Sequence, residues 1–250
     1  MLRKRVIPAL LLHEESLIKT TNFNKFRYIG DPCNTVRIFN ELEVDELIIL
    51  DILASKNKVN PNFDILRSIA DECFMPLAYG GGIKSLEQAK KIFDLGFEKV
   101  SLNTAALETP NLISDLAKVY GSQAVICSID VKKTLLGSYK VYNSSSKKYS
   151  KQDLLDWVKL VESMGAGEIL LTSVNLEGSW QGLDIELTSM VSEASSIPVI
   201  GQGGIGSKEH ITAAFNSTKV SAIASGSALV FQSKGMGVLV NTQIIPKEIQ

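Results

Sequence analysis

The chain has 250 residues, 45% hydrophobic and 21% charged, with a formal net charge of −1, so its bulk electrostatics give no reason to recruit nucleic acid or an anionic membrane surface. Three widely spaced cysteines without a CxxC pair, and only two histidines, argue against a disulfide framework, a zinc site or a histidine-rich metal centre. The basic start and the run "VIPALLL" imitate a signal peptide, but the run contains Pro8, lacks a small-residue cleavage site and falls short of the ~18 residues of a membrane span; a soluble cytoplasmic protein is expected.

In chain order, eight short apolar or β-branched runs read as strands. They are "RVIPALLL" (5–12), "ELIILDI" (46–52), "PLAY" (76–79), "KVSLN" (99–103), "AVICSID" (124–130), "EILLTSV" (168–174), "IPVIG" (197–201) and "VSAIAS" (220–225). Amphipathic stretches separate them, among them "NFDILRSIADECF" and "SLEQAKKIFDLG", the second starting at Ser85 and stopping at Gly96. Strict alternation of strand and helix implies parallel strands, and eight such units imply an α/β (βα)8 TIM barrel. The barrel is expected over residues 1–232, followed by a divergent tail at 233–250. That tail, "SKGMGVLVNTQIIPKEIQ", is poor helix material.

The two halves match. "PLAYGGGIKS" starts at 76 and "PVIGQGGIGS" at 198, 122 residues apart; "DELIILD" and "GEILLTS", and "VSLNTAAL" and "AIASGSAL", keep the same offset. The pattern reads as a duplication of a (βα)4 half-barrel. The opening strands fit at an offset of 119, which lays "VIPALL" on "VICSID" and Leu11 on Asp130.

Each half carries a glycine cluster between a strand and a helix. Gly81 and Gly82, with Asn103 and Thr104 from the next strand end, form one candidate phosphate cradle. Gly203 and Gly204, with Ser225 and Gly226, form the other, after strands seven and eight, where such barrels usually bind phosphate. The plain alternative is that the glycines only make tight turns. Two like cradles on one mouth favour a ligand with a phosphate at each end.

These segments, together with "KRVIP", "DELIILDI", "KVSLNTAA" and "GAGEILLTS", resemble the HisF family, the cyclase subunit of imidazole glycerol phosphate synthase. The resemblance implies an enzyme that takes ammonia from a HisH-type glutaminase and uses it to cleave and cyclise a bisphosphorylated nucleotide intermediate. It implies two aspartates as general acid and base, at the ends of strands one and five. The second maps onto Asp130; the first maps onto Leu11, which transfers no proton. A positioned acid–base group contributes about 10²–10⁴-fold, so the ordinary cyclase reaction should be crippled. His13 or Glu14 would have to reach back to replace it.

Further positions follow from the same resemblance. Lys19 matches a lysine of the mobile first loop, although a solvated lysine is the plain alternative. Asp51, ending strand two toward the mouth, is given a ligand-contacting or site-shaping role. After strand six the family's "DRDGT" is "NLEGS" here, with Glu177 and Ser179 standing in, and Gln202 replaces a serine. Arg5, Glu46, Lys99 and Glu168 match a charged gate through which ammonia enters the barrel floor, or simply close the floor with ion pairs. Glu98 and Gln123 lie on the glutaminase-facing side. No cofactor and no metal are implied.

A branch of this family is linked to acetamidino modification of N-acetyl sugars in surface polysaccharides, and "ALLL", "ECFMPLAYGGGIK" and the tail are similar to it. The expected function is a HisF-like subunit of a glutamine amidotransferase system. It would bind a HisH-type glutaminase and pass ammonia to an ATP-dependent N-acetyl sugar amidotransferase. The alternatives are a cyclase with a substituted acid and a non-catalytic scaffold for a phosphorylated small molecule.

Overall fold

The computed structural model describes residues 3–235, 237–238, 240–241 and 243–245. Eight parallel strands close on one another: β1 (Arg5–His13), β2 (Leu47–Asp51), β3 (Leu77–Gly80), β4 (Lys99–Leu102), β5 (Val125–Lys133), β6 (Glu168–Ser173), β7 (Val199–Gln202) and β8 (Ala222–Ser225). Each pairs with the next, and β8 returns to β1 with Arg5 beside Ala222, so no parallel edge is left open. Helices cover the outside between the strands. The expected (βα)8 barrel is therefore the fold.

Alternation along each strand divides the core in two. Ile7, Ala9, Ile48, Ala78, Ile126, Leu170, Ile200, Ala222 and Ala224 fill the barrel interior, with Leu50 packed against them. Their neighbours Val6, Leu10, Leu12, Leu47, Ile49 and Val125 face outward into the layer under the helices. Fully burying one such aliphatic side chain is worth about 1.5–3 kcal/mol, so a one-residue slip of any strand would be heavily penalised. Helix starts are fixed locally. Asp31, Asn62, Ser85, Asp153, Asp184 and Ser207 each accept a backbone N–H of the first turn, worth ~1 kcal/mol apiece.

Two connections depart from the expected loops. The segment after β1 folds back as two antiparallel strands, Ser16–Thr20 and Phe26–Gly30, the first of which pairs with β1. In its "SLIKT" the adjacent apolar residues Leu17 and Ile18 are both buried, as are Lys19 and Thr20. After β5 the chain makes a second antiparallel arm, Tyr139–Asn143, with a short strand at Lys148–Tyr149. Both arms stand on the mouth, the end where the strands finish. At the tail a four-residue helix, Ser227–Val230, is the one helix that follows β8 among the described residues, and Phe231 then bridges to Val238. Val240, Ile244 and Ile245 pack against the core; residues 236, 239, 242 and 246–250 of the expected tail lie outside the described residues.

Candidate functional site

At the floor, inward-facing residues at the strand starts meet in a closed cycle of charge. Arg5 Nη1 lies 2.7 Å from Glu46 and Nη2 2.5 Å from Glu168, while Lys99 Nζ lies 2.8 Å from each of the same carboxylates. Burial opposes the guanidinium charge, but Glu168 and Glu46 outweigh it and raise the Arg5 pKa. Both acids are buried. A cleft of about 390 Å³ lined by Arg3, Arg5, Asp45, Glu168, Pro198 and Ser221 leads to this ring from outside. Glu98 and Gln123 are exposed on the same end, just before β4 and β5.

At the mouth, the inward alternation of β1 runs Arg5, Ile7, Ala9, Leu11. Leu11 is buried and pairs in register with Leu50 of β2. An apolar column thus rises from the charged ring to the mouth on this side. On the inward face of β4, Ser101 sits between Lys99 and Asn103, and its hydroxyl is buried without a hydrogen-bond partner among the described residues.

Across the mouth, Asp130 is buried at the inward end of β5. Desolvation pushes its pKa up to about 6, against the hydrogen bonds from Ser144 and Asn103 that favour the charged form; nearby Glu177 adds to the rise. Ser144 comes from the arm after β5 and donates directly to the Asp130 carboxylate. Asn103 is thereby engaged with Asp130 as well as standing before the short helix Thr104–Glu108.

Lys19 is neither solvated nor loose. It is buried, ion-paired with Glu177, and donates to the Thr20 carbonyl at 3.0 Å. The Asn22 N–H donates to the Glu177 carbonyl at 2.8 Å, so the first arm is docked on the loop after β6. Thr172 donates to Gln202 at 3.2 Å, both buried on adjacent strands. Asp51 points away from the barrel axis, in step with outward Ile49. Its carboxylate accepts the N–H groups of Leu53 and Ala54 at 2.9 Å each, which shapes the turn beside the first cradle.

Both glycine clusters are tightly enclosed. Gly81 has φ +133°, and a Cβ there would lie 2.5 Å from the Asp51 carbonyl; Gly204 has φ +89°, and its Cβ would lie 2.0 Å from the Gly182 carbonyl. The backbone needs glycine at these points whether or not a ligand binds. On the second side, Ser179 and Trp180 join Lys19, Lys25, Lys234 and Ser227 in lining a cleft of about 500 Å³. A Cβ on Gly226 would meet the Lys19 side chain at 3.0 Å, so Lys19 closes the space over the end of β8.

A family profile described as histidine biosynthesis protein matches residues 5–234. The chain is 46% identical, over 96% of each sequence, to the "Putative imidazole glycerol phosphate synthase subunit hisF2" of Pseudomonas aeruginosa. It is 42% identical to the "Putative imidazole glycerol phosphate synthase subunit hisF3" of Vibrio vulnificus, over 96% of this chain and 93% of the relative. To imidazole glycerol phosphate synthase subunit HisF of Hydrogenobaculum it is 40% identical over 93% and 92%. The chain belongs to the HisF family.

Within this HisF-family barrel, the structure brings together most residues singled out in the sequence. Arg5, Glu46, Lys99 and Glu168 form one cluster; Asp130 and Asn103 a second; Lys19 and Glu177 a third. Ser144 and Thr172 were missed. Ser144 lies in the run "NSSSKK", where nothing local marks one serine for the Asp130 carboxylate. Thr172 could have been found from the period of two, since it stands two residues beyond inward-facing Leu170.

Proposed function

We propose that this HisF-like barrel serves a glutamine amidotransferase system, accepting ammonia from a HisH-type glutaminase at its floor and releasing it at its mouth. The observation that carries the reading is Leu11. It extends the apolar column above the charged ring, at the strand end where the family resemblance expects an acid to face Asp130. Neutral ammonia crosses an apolar passage at small cost, whereas the ammonium ion does not. The ring of alternating charges suits an entry that a partner can rearrange, and Ser101 offers one polar stop inside. The acceptor is an N-acetyl sugar whose acetyl group a partner amidotransferase activates with ATP and converts to an acetamidino group, in surface polysaccharide biosynthesis.

Cyclase activity with a substituted acid is the second reading, and the names of the relatives favour it. The two candidate substitutes are poorly placed. His13 stacks on Phe26 with ring centroids 5.2 Å apart, and Glu14 is exposed in a turn with φ 57°. Neither presents an acid at the end of β1.

The two readings separate with purified protein, ammonium and the bisphosphorylated cyclase substrate. Wild type should turn over at least ~100-fold more slowly than the Leu11→Asp variant, the size of one positioned acid–base group. Near-normal wild-type turnover, equal to or above that of an active Leu11→Asp variant, would sink the ammonia-delivery reading.

A further inference from the structure

One surface element stands apart in charge. From Val131 to Gln152 the chain carries six lysines and no aspartate or glutamate, in a molecule of net charge −1. This is the arm formed by the end of β5 and Tyr139–Asn143, with the short strand Lys148–Tyr149 after it. Lys132 leans over the Tyr142 ring at 5.0 Å and Lys133 pairs with Glu186 at 3.1 Å. Lys140, Lys147, Lys148 and Lys151 are exposed and form no ion pair among the described residues.

The arm is unfavourable by itself in three respects. Lys132 and Lys140 are direct cross-strand partners, and like charges so placed weaken a strand pair. Lys147 holds a left-handed φ of 57°, uncommon outside glycine. Leu135 and Leu136, at the tip, are fully exposed. Yet the tip is ordered: Thr134 N–H donates to the Ser138 carbonyl at 2.8 Å, their hydroxyls meet at 2.8 Å, and Val141 is anchored in the core. A preformed apolar tip loses little conformational freedom on binding. Its base leans over the mouth, because Ser144 bonds Asp130.

We propose that this arm docks the ammonia-consuming enzyme, through an acidic face with an apolar socket for Leu135 and Leu136. The inference rests on the ammonia-delivery reading above. An anionic membrane would also match the lysines. It would not, however, place an acceptor site over the mouth, where emerging ammonia must be received before water protonates it. A protein partner satisfies the charge, the leucines and the delivery together.

The test titrates purified N-acetyl sugar amidotransferase into the full chain bound to its glutaminase, followed by calorimetry at two salt concentrations. One variant combines Leu135→Ser with Leu136→Ser; another combines Lys140→Glu with Lys148→Glu. Each should weaken binding at least tenfold, and the lysine variant should also lose most of the salt dependence. Stimulation of glutamine hydrolysis should stay at the wild-type level in both, which shows that they fold and that the floor is intact. Wild-type affinity in both variants would overturn the docking site while leaving the delivery reading standing. Loss of binding to phosphatidylglycerol vesicles with unchanged amidotransferase binding would assign the arm to a membrane instead. Wild-type protein that neither binds the amidotransferase nor supports amidine formation would overturn both.

Discussion

Asp130 shows how one buried residue records its surroundings. Its carboxyl has left water without gaining a cation among the described residues, so its pKa rises to about 6. Between about pH 4 and pH 6 the folded chain therefore holds a proton that the unfolded chain has released. The contribution of Asp130 to stability falls across that window and stays lost above it. Asp130→Asn should accordingly be more stable than wild type at pH 7.5, by up to about 3 kcal/mol, with no gain at pH 4. Urea unfolding at the two pH values checks this; equal gains at both would reject burial as the cause. Ser144→Ala removes a hydrogen bond that favours the charged form, so it should move the Asp130 titration upward, as followed by carboxyl NMR. At Gly204 the constraint is steric. Alanine there would meet the Gly182 carbonyl at 2.0 Å with φ +89°. Gly204→Ala should cost about 2–4 kcal/mol in denaturant unfolding, while Gly96→Ala, with nothing within 4 Å, should cost less.

Among elements, the eight barrel strands were legible because each is a short apolar run bounded by turn residues, and the observed ends fall within two residues of the expected ones except at β5, which runs on three residues to Lys133. The cap at Ser85 was equally plain, since a serine before an amphipathic run has few other uses. The two antiparallel arms were not legible. "SLIKT" and "YKVYN" are strands only because β1 and β5 overrun the barrel and offer them a partner, a tertiary circumstance that five residues do not announce. Burial of Lys19 was hidden for the same reason: its partner Glu177 lies 158 residues away. The floor ring, by contrast, was expected from the family resemblance, whose charged positions fall on the strand starts at Arg5, Glu46, Lys99 and Glu168. Each cation there bridges both carboxylates, so removing one leaves two buried acids sharing a single charge. Lys99→Ala should destabilise the fold by about 1–3 kcal/mol, and the loss should shrink in the Lys99→Ala, Glu46→Gln pair, as a double-mutant cycle would measure.

At the scale of the whole molecule, the barrel has two differently built ends joined by an apolar interior. The floor carries a closed ring of four charges. The mouth carries Asp130 at the end of β5, Glu177 paired with Lys19, two glycine clusters and two arms, with Leu11 at the inward end of β1. This polarity fits the proposed delivery of a neutral molecule from one protein to another. The central claim is that ammonia released from glutamine passes through the barrel rather than through solution. It is tested most directly with amide-15N glutamine in the reconstituted system of glutaminase, barrel and N-acetyl sugar amidotransferase, in the presence of excess 14N ammonium. Passage through the barrel predicts that most amidine nitrogen in the product is 15N. A product whose label matches the isotope ratio of the bulk ammonium would contradict it.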